Sequence, residues 1–97
     1  MIPPLSIDVY PPNTLEGMIA REWVSCIAEC DCPLSNPEEP FQILFRCARE
    51  LMVKANWPPT YQHKFLNQLR RDLPELTHCH PVTRQFIELL DRELESN

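Results

Sequence analysis

Prolines divide this chain into its structural pieces. They stand at positions 3, 4, 11, 12, 33, 37, 40, 58, 59, 74 and 81. Proline fixes φ, lacks an amide hydrogen and biases the preceding residue away from helix, so it belongs at helix edges rather than in their middles. Here the clusters fall between apolar segments of helical period, which is punctuation and not low complexity. A single glycine, Gly17, accompanies the eleven prolines. Phosphate-cradling loops need glycines in succession, for close backbone approach and for positive φ, so P-loop and dinucleotide-binding folds are excluded.

The clearest helix runs from Asn36 to about Asn56. Asn36 stands as an N-cap, Pro37 at the first helical position, and Glu39 completes an Asn-x-x-Glu capping box. Phe41, Leu44, Phe45, Ala48, Leu51, Met52 and Ala55 then recur at helical spacing, and Asn56 suits a left-handed C-cap ahead of Pro58 and Pro59. Trp57 is expected to cover that end of the core. An earlier helix opens at Asn13 or Thr14 and continues to about Cys30, with Leu15, Met18, Ile19, Trp23, Cys26 and Ile27 inward. A third runs from Pro59 or Thr60 to Leu73, with Tyr61, Phe65, Leu66 and Leu69 inward, and ends at Pro74. The fourth starts at Pro81 and carries Val82, Phe86, Ile87, Leu89, Leu90 and Leu94. The expected fold is all-α: a small antiparallel bundle of about four helices over residues 13–97, preceded by an extended proline-rich arm over residues 1–12. An orthogonal packing of the same helices is the alternative. At 97 residues the chain has room for one core.

The net charge of −5 conceals an acidic, basic, acidic order. Six of the nine cations, Arg46, Arg49, Lys54, Lys64, Arg70 and Arg71, lie within residues 46–71. Complementary charge between the middle helices and their outer neighbours is the ordinary reading. The functional reading places these six on one positive face of helices two and three, facing another protein with an acidic surface. The arm suggests a second contact through Leu5, Ile7 and Tyr10, against the ordinary reading of an arm strapped over its own core. Wide apolar stripes on helices one and two add homodimerisation as an expectation.

Five cysteines, an odd number with irregular spacing and no sign of export, read as thiols. Cys47 reads as a packing residue beside the second stripe. Cys30-Asp31-Cys32 and His78-Cys79-His80 fall on two turns at one end of such a bundle, so Cys30, Cys32, His78 and His80 form a candidate zinc set. Single-residue spacing, which points neighbouring side chains apart, weighs against it. No nucleophile motif or paired Glu-x-x-His pattern supports an enzyme. The sequence thus predicts a cytoplasmic, non-enzymatic interaction module without a cofactor: an adaptor, regulator or inhibitor. A zinc-stabilised domain and a nucleic-acid-binding regulator are the alternatives, the latter disfavoured by the acidic flanks. No run is apolar and long enough to span a membrane.

Overall fold

A computed structural model describes residues 7–30 and 33–95. A 3-10 turn, Ile7–Val9, leads into four helices: α1 (Leu15–Ala28), α2 (Glu38–Lys54), α3 (Pro59–Leu76) and α4 (Pro81–Glu95). They form the small all-α bundle that the apolar periodicity implies, with no strand among the described residues. The principal contacts join α1 to α2 and α3, and α4 to the same two. Consecutive helices α2 and α3 therefore lie across the bundle from one another.

The centre of the core is aromatic. Trp23 of α1 meets Phe41 of α2 edge-on at 5.7 Å and Phe86 of α4 at 6.3 Å, while Phe41 and Phe86 are 5.9 Å apart. Edge-to-face geometry places the positive rim of one ring on the negative face of the next. On α1 the inward line is Ile19, Ala20, Trp23 and Ile27, whereas Met18, expected inside, is 53% exposed. Tyr61 is also turned outward, because Trp57 packs edge-on against it at 4.7 Å and fills the inward place beside Phe65. Leu51, Ile87 and Leu94 are only half-buried, and Ala55 and Cys47 are exposed.

Three helix ends depart from or refine their expected chemistry. Thr14 caps α1, its Oγ1 accepting the Gly17 amide at 3.0 Å. At α2 the Asn36 box does not form: Pro37 takes the cap position with helical dihedral angles, and no side chain caps the helix. Pro37 and Pro40 bring no amide hydrogen to the first turn, which leaves Glu38 and Glu39 as its amide donors. The third departure is α3, which continues through Pro74 to Leu76 instead of ending at Leu73. Burial of Leu73 and Leu76 holds this last turn in place across the missing hydrogen bond.

Both α2 and α3 end in a Schellman motif built without glycine. After α2, Asn56 adopts φ 60°, its amide donates to Val53 O, and the Trp57 amide donates to Met52 O. Asn56 is the left-handed residue its position predicts, because its short polar side chain tolerates that conformation. After α3, His78 and Cys79 adopt φ 54° and 57°, and the Cys79 amide donates to Pro74 O at 2.7 Å. Two successive left-handed non-glycine residues are costly. Cys79→Gly is therefore expected to stabilise the protein by about 1 kcal/mol. Urea unfolding checks this, and an unchanged or lowered midpoint would count against strain at this turn.

The described part of the arm is folded onto the body and is not extended. Tyr10 is buried, meets Phe65 edge-on at 6.3 Å, and its hydroxyl donates to Asp72 Oδ2 at 2.6 Å. Arg21 Nε donates to the Tyr10 carbonyl at 3.3 Å, and Thr14 Oγ1 to that of Pro11 at 2.7 Å. Beneath this strap lies Gly17, where a β-carbon would come within 1.8 Å of the Pro11 carbonyl oxygen. Close approach, not unusual dihedral angles, explains the one glycine.

Candidate functional site

The six cations do not form one face, because α2 and α3 each pack chiefly on α1 and α4 and approach one another only near the corner that joins them. Arg70 is consumed by an ion pair: its Nε and Nη2 donate to the two carboxylate oxygens of Asp91 on α4, at 2.7 and 3.0 Å. That pair, which holds the Arg70 guanidinium in its charged form, is the complementary contact between middle and outer helices. Lys64 lies at a cleft beside Val9, Tyr61 and Gln68. Arg71 shares a depression with Asp91 and Glu95.

On α2 the cations stay together. Arg46, Arg49 and Lys54 are exposed, make no ion pair among the described residues, and surround the exposed Val53, with Glu50 the one anion between them. The Arg49 guanidinium sits 5.3 Å from the centre of the Phe45 ring, which orients it and leaves its donors outward. Behind Arg49 opens a groove of about 410 Å3, bounded by α2, the first turns of α3 and the end of α4. Phe45, Leu66 and Leu94 line its apolar part, and Thr60 and His63 stand along α3.

Several members of this surface escaped sequence reasoning. Ile43 and Val53, 59% and 58% exposed, lie off the stripe formed by Phe41, Leu44, Phe45, Ala48 and Met52. That offset was a legible signal, since two large aliphatics outside a well-defined stripe must face solvent or a partner. Leu94 and His63 gave no comparable signal, because only the packing brings α4 beside α3 at this point.

Two of the three arm candidates, Ile7 and Tyr10, pack within the chain. Tyr10, expected to dock on a partner, is an internal anchor. Burial raises its hydroxyl pKa first and the Asp72 carboxylate second, so the phenol stays protonated as a donor. Ile7 packs half-buried against the core, and Leu5 lies outside the described residues.

Of the candidate zinc set, Cys30 and His80 meet through a hydrogen bond. His80 Nδ1 accepts the Val82 amide at 3.2 Å, which places the ring proton on Nε2, and Nε2 donates to the Cys30 carbonyl at 2.7 Å. His80 thus caps α4 and ties it to the end of α1, with both nitrogens occupied. Nearby, the Gln85 amide exchanges two 2.9 Å hydrogen bonds with the backbone of Leu34. Cys30 Sγ donates to the Cys26 carbonyl at 3.4 Å. Burial, followed by Glu29 and Glu22, raises the Cys26 thiol pKa, which opposes thiolate chemistry. His78 is exposed, Cys32 lies outside the described residues, and no three His, Cys, Asp or Glu side chains among the described residues converge as a metal site.

Among the described residues no helix is long and apolar enough to cross a membrane. Comparison with protein-family models, with curated proteins and with solved structures finds no match to this chain.

Proposed function

We propose that this protein is a non-enzymatic interaction module that recognises an acidic protein partner through the outer face of α2. One observation carries the reading. In a chain of net charge −5, three cations that make no ion pair among the described residues gather on a single helix around an exposed valine. Lysine and arginine alone would be an ordinary solvated face, but large exposed aliphatics beside them make an amphipathic surface, the composition of a recognition patch. Glu50 lowers the local positive charge without cancelling it. Among the described residues the groups with displaced proton affinity, Tyr10, Cys26, Tyr61 and Arg70, owe it to burial, hydrogen bonding or neighbouring charge, and give no support to acid-base catalysis.

Charge reversal tests the proposal. Wild-type protein and an Arg46→Glu/Lys54→Glu double variant serve as baits in lysate of the native host. Both positions are exposed, so the double variant keeps its thermal midpoint. The wild type is expected to retain a protein that the variant retains about tenfold less and that moderate salt releases. Equal retention by both baits, or retention of nucleic acid alone, would refute the module.

A further inference from the structure

The groove behind Arg49 continues onto the cationic face of α2, and this continuity specifies more than a charged patch. Resting on the interaction-module reading above, we infer that the groove seats a segment of the partner in which a large apolar anchor is followed by carboxylates. The anchor fits over the half-buried Leu94 and the exposed Pro59, above a floor of buried Phe45 and Leu66, in a space of about 410 Å3. A volume of this size takes one or two bulky side chains, which is how short amphipathic segments are read.

Polarity follows from the charges at the two ends of the groove. At one end Arg49, held over Phe45, presents its remaining donors to solvent, and Arg46 and Lys54 extend the positive strip beyond it. At the other end the groove meets a second depression across His63 and Leu94, where Asp91 is neutralised by Arg70 and Glu95 stands beside Arg71. An acidic stretch is therefore favoured on the Arg49 side and gains little on the Glu95 side. Planar guanidinium oriented over a ring suits bidentate pairing with carboxylate, because its fork is already fixed before binding. The occupant is an acidic protein segment. A nucleic acid offers phosphates to the strip but nothing matched in shape to the apolar groove.

Selection of random peptides displayed on phage against the purified full-length chain tests this. The expected winners carry one or two Leu, Phe, Ile or Trp residues with Asp or Glu on one side only. A labelled winner should bind one per chain. Its binding should weaken about tenfold in Arg49→Glu and by a similar factor at high salt, and Arg49→Lys should restore part of it. Thr60→Trp, on the exposed first turn of α3, fills the mouth of the groove without touching the core and should also weaken binding. Winners without carboxylates, winners indifferent to both Arg49→Glu and Thr60→Trp, no winners at all, or displacement of the peptide by duplex DNA or by a second copy of the chain would each overturn the inference. If the α2 reversal abolishes partner capture from lysate while the peptides ignore Thr60→Trp, the groove assignment fails and the module stands. If capture also ignores the α2 reversal, both fail.

Discussion

Gly17→Ala is expected to destabilise the protein by about 3 kcal/mol, a large loss for the addition of one methyl group. In an exposed helix the same change gains about 1 kcal/mol, because alanine is the better helix former. Here the added carbon would lie 1.8 Å from the Pro11 carbonyl oxygen and 2.6 Å from its carbon, both backbone atoms that no rotamer change can move aside. The strap must lift. Lifting it withdraws Tyr10 from Phe65 and breaks its hydrogen bond to Asp72. A double-mutant cycle with Tyr10→Ala isolates this cause. Once Tyr10 no longer anchors the strap, Gly17→Ala should cost little, or even stabilise by its helix propensity. Additive losses in urea unfolding would show that the strap and the glycine are independent.

The second large effect is expected at Trp23, which is 1% exposed and joins three helices through edge-on contacts. Trp23→Ala removes the largest buried side chain, and such truncations cost about 3–5 kcal/mol. Domains of this kind are stable by only about 5–15 kcal/mol, so the variant should unfold at much lower denaturant or lose its cooperative transition altogether. Trp23→Phe keeps an aromatic edge toward Phe41 and Phe86 and should retain most of the stability. Calorimetry or circular dichroism decides between these outcomes. A Trp23→Ala protein that melts within a few degrees of the wild type would mean that the core does not depend on this ring cluster.

Much of the fold was legible because its signals are local. Helical spacing located the buried faces of α2 and α4. Pro59 and Pro81 marked the two helix starts, and Asn56 the left-handed residue after α2. What sequence could not supply was the neighbour of each face. Pro74 reads as a stop by its missing amide, yet burial of Leu76 outweighs the lost hydrogen bond. His80 reads as a ligand by residue type, but a ring with two nitrogens can equally cap one helix and hold another, and only proximity to the Cys30 carbonyl distinguishes the roles. The basic face failed for a similar reason. Adjacency in the chain suggested that α2 and α3 stand side by side, while the core pairs each with α1 and α4. Arg70 went to Asp91 and the cations of α2 were left as a smaller cluster.

The placement of the two indole rings has a practical consequence. Trp23 is sealed at the meeting point of α1, α2 and α4, and Trp57 sits half-buried at the corner between α2 and α3, edge-on to Tyr61 and Phe65. The molecule therefore carries two indole fluorophores, excited apart from its tyrosines at the red edge, in unlike surroundings, one shielded from a soluble quencher and one within its reach. Loosening of the corner alone dims the accessible emission first and leaves the sealed component unchanged. Only the global transition exposes both, so a single quenching titration resolves local fraying from unfolding without any added label.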